Sequence, residues 1–287
     1  MAEVTYRPAH VKGEVRIPPS KSAAHRALLS AALCKTPCRV GPIDHSADME
    51  ATLNGVCAMG STVKAEENGV LCIAPGTAPQ SVTVDCGESG STPRFLIPVF
   101  AALGIDATFG GHGRLPERPI GVYTDLLPQH GVTVETAGGL PFHITGKLQS
   151  GDFRVPGNIS SQFITGLLFA LPLLKKDSTV TLTTPLESKG YIDLTIEVLA
   201  GFGVKIEETE TGWHISGGQT YRAEHYTVEG DWSQAAFFLS EAAVSGGPIR
   251  LLGLSETSLQ GDKACVHLWR QFGLSVTEED GVYVAEN

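Results

Sequence analysis

The 287-residue chain has no apolar run approaching the roughly 18 residues that a membrane span requires. Its first residues, MAEVTYRPAH, lack the charged-then-apolar pattern of a secretory leader, so the cytoplasm is the expected compartment. No C-x-x-C pair and no Cys/His ligand spacing occurs among the six cysteines, Cys34, Cys38, Cys57, Cys72, Cys86 and Cys265, which read as reduced, small, buried residues. None of the nine histidines falls in an H-E-x-x-H or another metal-binding pattern. A cationic surplus is also missing. Lys and Arg number 21 against 31 Asp and Glu, a net charge of −10, which excludes the basic footprint of a nucleic-acid or membrane-surface protein. An anionic ligand would therefore need a few local cations and backbone dipoles acting against the field of the whole molecule.

What the chain does have is glycine, 33 residues, and a repeat. Apolar helical stretches end at Gly60, Gly131, Gly203 and Gly273, and each is followed by a β-branched run, a turn and a second short strand. The intervals are 131−60 = 71, 203−131 = 72 and 273−203 = 70 residues. Turn glycines at Gly69, Gly139, Gly212 and Gly281 keep nearly the same step. A period of this length marks a supersecondary module that buries its apolar face only against its neighbours. Each copy opens with a short alternating or apolar strand, predicted at Glu14–Ile17, Val82–Asp85, Phe153–Val155 and Tyr226–Glu229. A small polar cluster and a helix of broad apolar face follow, then a second strand, a second helix stopped by its glycine, and a hairpin. The module is β-α-β-α-β-β, and the fold class is α+β (an α/β prism). Length suggests about two domains. A complete three-module domain is expected over 13–222, and a partial second domain over 1–12 with 223–287.

The polar clusters share one structural address, a strand end leading into a helix: PPSKSAAHR, DCGESGSTPR, PGNISSQF and EGDWSQ. The start of the second helix carries PERPIG, ESKGYID and QGDK. Helix N-termini present unpaired N–H groups and about half a positive charge, so several converging ends form a site for phosphate or carboxylate. Lys21, Arg26, Arg94 and Arg118 add charge and forked donors. Each cluster alone also fits a plainer reading. Ser20 and Ser22 suit a helix cap worth about 1 kcal/mol, and Ser160 with its neighbours suits another. ESGST matches no P-loop. His25 and His112 lie near the clusters, while Asp48, Asp231 and Asp262 sit near helix starts, where acids are favoured in any case. No acid–base pair stands out.

In order and spacing, PPSKSAAHR, DCGESGSTPR, LPERPIG, SSQF, SKGYID and VEGDWSQAAFFL resemble the 5-enolpyruvylshikimate-3-phosphate (EPSP) synthase family, the 3-phosphoshikimate 1-carboxyvinyltransferases, along essentially the whole chain. The resemblance implies an enolpyruvyl-transferase fold of six modules, three per domain. It also implies transfer of the carboxyvinyl group of phosphoenolpyruvate to the 5-hydroxyl of 3-phosphoshikimate with release of phosphate, in the shikimate pathway of aromatic amino-acid biosynthesis. It implies no metal or organic cofactor and a usually monomeric enzyme. By position, Lys21, Ser22, Arg26, Ser160, Ser161, Gln162, Ser188 and Tyr191 match contacts to phosphoshikimate. Lys21, Gly90, Arg118 and Gln162 match contacts to phosphoenolpyruvate.

Two departures stand out. Glu88 places a carboxylate in the glycine-rich segment, Gly-Glu-Ser-Gly-Ser-Thr, where the family commonly has Gly-Asn-Ala-Gly-Thr. The chain also holds four modules where the family has six, and the family's catalytic aspartate belongs to the other two. A truncated enzyme is expected, one that binds phosphoshikimate weakly with little or no turnover and self-associates through uncovered apolar surface. Two other readings share the fold. One is a transferase acting on a UDP-sugar, which the SKS and SSQ segments disfavour; the other is a scaffold without catalysis, for which Lys21→Ala leaves ligand affinity unchanged.

Overall fold

The computed structural model describes residues 10–287. The module predicted from the glycine period occurs four times in chain order. The first copy contains β1 (Gly13–Arg16), α1 (Lys21–Ala32), β2 (Cys38–Gly41), α2 (Ala47–Ala58), β3 (Thr62–Ala65) and β4 (Leu71–Ala74). The second contains β5 (Ser81–Asp85), α3 (Ser91–Leu103), β6 (Asp106–Gly110), α4 (Gly121–Leu126), β7 (Val132–Thr136) and β8 (Phe142–Gly146). The third runs β9 (Asp152–Val155), α5 (Ser161–Ala170), β10 (Ser178–Leu182), α6 (Lys189–Gly201), β11 (Glu207–Thr209) and β12 (Gly212–Ile215). The fourth runs β13 (His225–Thr227), α7 (Trp232–Ser245), β14 (Ile249–Leu252), α8 (Ala264–Gln271), β15 (Ser275–Glu279) and β16 (Val282–Glu286).

All four marker glycines adopt positive φ, from 75° at Gly203 to 101° at Gly60, so each provides the left-handed turn that ends its helical stretch. Among the turn glycines, Gly139 differs from the other three. The positive φ falls on Gly138, and Gly139 is fixed by proximity instead, since a Cβ there would lie within 2.0 Å of the Pro116 carbonyl oxygen.

Each module's sheet has the strand order first, second, fourth, third. β5 and β6 run parallel with Val82 opposite Ala107, β8 is antiparallel to β6, and β7 is antiparallel to β8. The sheet of the third module repeats this as β9-β10-β12-β11. The first and fourth modules exchange their opening strands. β13 pairs with β2, Tyr226 opposite Val40, while β1 pairs with β14, Val15 opposite Leu251. Among the described residues, the chain accordingly divides into one compact unit at Lys21–Val228 and a second made of residues 10–20 with Glu229–Asn287. The expected limits, 13–222 and 1–12 with 223–287, divide the chain at other residues, and 1–9 lie outside the described residues. The physical reason is that β1 and β13 are short and alternate alike, so periodicity cannot choose between two equivalent sheet edges.

Within Lys21–Val228, three sheets surround one apolar core. Its centre is the pair α3 and α5. From Thr92 to Ala102 every α3 residue is buried, as expected of a helix that is apolar around its whole circumference. The two helices approach closely at Gly166, where a Cβ would stand 2.2 Å from the Arg94 carbonyl oxygen and 2.4 Å from the Tyr123 hydroxyl. That hydroxyl lies 2.5 Å from Arg94 O and 3.0 Å from Phe163 O, which joins the two helices through one buried group. Phe95 and Phe169 pack alongside with ring centroids 5.9 Å apart.

The other unit packs Ile17, Trp232, Leu239, Leu251 and Tyr283 between α7, α8 and its four-stranded sheet. Phe237, Val244 and Phe272 remain 70%, 84% and 81% exposed on its helical side. Asp231 caps α7 by accepting from the Ser233 and Gln234 N–H groups, so its place at a helix start is structural. All six cysteines are free thiols. Cys34, Cys38 and Cys86 are buried as expected, Cys72 and Cys265 are half-buried, and Cys57 is exposed because it lies on the outer side of α2. Among the described residues no helix is long and apolar enough to cross a membrane.

Candidate functional site

The N-terminal ends of α1, α3, α5 and α6 open into a single cavity of about 670 Å³ inside Lys21–Val228. Every residue matched by position to a family contact lines it: Lys21, Ser22 and Arg26; Gly90 and Arg118; Ser160, Ser161 and Gln162; Ser188 and Tyr191. Ser20, His112, Asp231 and Asp262 do not. The lining residues come together because equivalent strand-to-helix turns of successive modules point to one end of the core. His25, Asp48, Glu88 and Arg94, also noted in the sequence, share the lining, and the structure adds Ser91, Phe95 and Ile159. Four cations (Lys21, Arg26, Arg94, Arg118) face two carboxylates (Asp48, Glu88), so the cavity is locally +2 in a chain of net −10.

Arg26 is the most buried of the cations, 4% exposed. Its Nε donates to Thr195 Oγ1 at 2.8 Å, Nη1 to the Ser22 carbonyl at 2.7 Å and Nη2 to the Tyr191 carbonyl at 3.2 Å, and the guanidinium lies over Phe95. These bonds use three of five guanidinium donors, and none goes to a carboxylate. Burial pushes its pKa down to about 10. The charge is thus held in place by neutral acceptors and, among the described residues, has no counter-ion, as a site prepared for an incoming anion requires.

Arg94 sits one helical turn beyond Gly90. It donates to Gln162 Oε1 at 2.6 Å and to the Pro119 carbonyl at 2.9 Å, and Gln162 Nε2 in turn donates to Ser91 Oγ at 2.9 Å. Gln162 is therefore held with both ends of its amide fixed. Burial, with Arg118 adding like-charge repulsion, lowers the Arg94 pKa. Gly90 allows this crowding. A Cβ on it would come within 2.8 Å of Arg118 Nη1 and 3.0 Å of Arg94 Nη1. Ser160 does cap α5, accepting from the Gln162 N–H at 3.3 Å, so the plainer reading of that serine is also correct. Ser188 takes a left-handed φ of 58° at the start of α6.

Lys21 pairs with Asp48 across the mouth at 2.9 Å. Behind it, His25 Nδ1 lies 2.7 Å from Thr52 Oγ1, and hydroxyl contacts continue through Thr92 to Ser89 Oγ. Burial first, and then the charge of Arg26, lowers the His25 pKa to about 4, so its ring is neutral at pH 7. His112 lies 3.7 Å from Glu88 Oε1 with both side chains exposed, outside the cavity lining. Arg94's place at the cavity was within reach of sequence reasoning, because Arg94 falls one turn into its helix. Its bond to Gln162 and that of Asp48 to Lys21 were not, because they cross 68 and 27 residues of chain.

The family model for EPSP synthase (3-phosphoshikimate 1-carboxyvinyltransferase) matches residues 5–287. A 3-phosphoshikimate 1-carboxyvinyltransferase of Clostridium kluyveri is 43% identical over 283 residues, covering 98% of this chain and 66% of the relative. That of Clostridium perfringens is 42% identical over 282 residues, covering 97% and 66%. Among solved structures, an EPSP synthase from Acinetobacter baumannii superposes with a TM-score of 0.83 at 25% identity, over 98% of this chain and 64% of that one. The chain thus spans just under two thirds of the length of the curated relatives it matches.

Proposed function

The chain belongs to the EPSP synthase family, and on that premise we propose that its cavity binds 3-phosphoshikimate and phosphoenolpyruvate for the carboxyvinyl transfer of aromatic amino-acid biosynthesis, in the cytoplasm. The observation that carries this reading is the convergence of four cations and four helix N-termini on one cavity in an otherwise acidic chain. Two polyanions are brought together only where their mutual repulsion is offset by fixed cations and oriented donors. Arg26, Lys21, Ser22, the Ser160–Gln162 turn of α5, Ser188 and Tyr191 hold 3-phosphoshikimate. Arg118, Lys21, Gln162 and the backbone at Gly90 hold phosphoenolpyruvate, with Arg94 fixing Gln162 from behind. The shared contacts of Lys21 and Gln162 align the 5-hydroxyl with the vinyl carbon, a positioning effect.

The cavity's carboxylates are not disposed as a proton-transfer pair. Asp48 is engaged by Lys21, and Glu88 stands near His112 at the outer edge. The function proposed for this chain is therefore substrate binding, with little or no turnover on its own. Isothermal titration with 3-phosphoshikimate, then with phosphoenolpyruvate on the loaded protein, tests it. Sequential binding is expected, the first ligand strengthening the second. No heat with 3-phosphoshikimate, or wild-type affinity in Lys21→Ala, rejects the substrate reading in favour of a scaffold; measurable transfer rejects the claim of low turnover.

A further inference from the structure

A second cavity, of about 610 Å³, lies at the opposite ends of the same two central helices. Ala102, in the last turn of α3, and Leu173, just past α5, line it, so α3 spans from one cavity to the other. Thirteen residues at 1.5 Å each set the two about 20 Å apart. Its floor is apolar, from Leu148, Leu173 and Leu174, and its cations are Lys147, Lys175 and Lys176. Among the described residues no carboxylate lines it.

Lysines near helix C-termini commonly serve only to offset the negative end of the dipole. Here the backbone already does that. The Phe100 carbonyl accepts from Ile105 N–H at 3.0 Å, Ala101 from Leu148 N–H at 2.9 Å, Leu171 from Leu174 N–H at 3.1 Å and Pro172 from Gln219 N–H at 2.9 Å. Asp177, the acid next in sequence, accepts from the Gly217 N–H and faces His214. Among the described residues, none of the three ammonium groups has an ion pair. Three like charges around one hollow repel each other, and in a chain of net −10 they remain as a local positive field over an apolar floor.

We propose that this cavity binds a small anion bearing a phosphate or carboxylate on an apolar body, with Lys147, Lys175 and Lys176 gripping the charged group and Leu148, Leu173 and Leu174 covering the remainder. The site is independent of the function proposed for the first cavity. Phenyl phosphate is a suitable probe, titrated into the whole chain and read by amide chemical shifts. The expected result is saturable shifts at Leu148, Gln149, Leu174 and Lys175. The triple variant Lys147→Gln/Lys175→Gln/Lys176→Gln should weaken that binding at least tenfold, and phenol should bind at least tenfold more weakly than phenyl phosphate. All three lysines are exposed, so the variant keeps its fold, and an unchanged far-ultraviolet dichroism spectrum checks this. Shifts confined to Ser160–Gln162, wild-type affinity in the triple variant, or equal binding of phenol would each overturn the proposal.

Discussion

Replacing Arg26 with methionine separates a residue that holds the fold from one that holds a ligand. Burial lowers the Arg26 pKa from the ordinary 12.5 to about 10. At 1.36 kcal/mol per pKa unit, the charged form is disfavoured by about 3 kcal/mol relative to water. Methionine keeps the length and flexibility of the stem without the charge. Few acceptors are stranded by the change: Tyr191 O also accepts from Thr195 Oγ1, Thr195 Oγ1 also contacts Thr165 Oγ1, and Ser22 O keeps its place in the ladder of α1. The relief of desolvation therefore offsets the lost hydrogen bonds, each worth roughly 1 kcal/mol net. Without ligand, the thermal midpoint should stay the same or rise by a few degrees, at about 2–4 °C per kcal/mol for a body of this size. Affinity for 3-phosphoshikimate should fall about 100-fold, or about 2.7 kcal/mol, the range for a charge-assisted contact. Calorimetry of both kinds measures this. A lowered midpoint with unchanged affinity would show Arg26 to be a structural clamp and refute the counter-ion reasoning.

Gly90→Ala should leave stability within about 1 kcal/mol, since the new methyl meets only the tips of Arg118 and Arg94, yet displacing them should weaken phosphoenolpyruvate binding about tenfold by titration. Asp48→Asn removes the carboxylate that competes with a ligand anion for Lys21; affinity should tighten several-fold, more so at low salt, with stability changing by under about 1 kcal/mol because the pair is partly exposed. Gly166→Ala places a methyl against backbone that cannot yield, and denaturant unfolding should show a loss of about 3 kcal/mol or more. His25 is neutral in the fold with a pKa near 4, so the unfolded chain gains a proton near pH 6.5 that the folded chain refuses. Stability should be level above that pH and fall by about 3 kcal/mol as pH drops to 4; His25→Asn should lose this component, and equal slopes for the two proteins would refute it.

Much of this architecture is legible in the sequence because its determinants are local. The glycines at Gly60, Gly131, Gly203 and Gly273 announce the module, and the backbone at each takes the left-handed turn that only glycine accepts easily. Likewise Lys21, Arg26, Gln162 and Arg118 gather because they hold equivalent addresses in repeated units. What escaped the sequence depends on which segments meet in space. Two short strands alternate alike, and nothing in the residues of β1 or β13 selects β14 or β2. Glu229 as a strand residue was misplaced by two residues, at a strand end where turn geometry shifts freely along the chain. Asp48 at Lys21 and the Tyr123 hydroxyl between two helix carbonyls were invisible for the same reason: both are long-range contacts with no local signature.

The exchanged strands also bear on how the polypeptide matures. During synthesis, residues 13–16 must wait for residues 249–252 before they have a hydrogen-bonding neighbour, and residues 39–41, already paired with β4 on one side, wait for 225–227 on the other. The second and third sheets, by contrast, draw every strand from within one module and are able to assemble as soon as each is synthesised. Since the entropy of closing a loop grows only logarithmically with its length, these late joins cost little at equilibrium; their burden is kinetic. Until residues 225–252 have been made, a nascent chain of this protein carries unmatched edges at β1 and β2, and that interval is when it is most exposed to aberrant association.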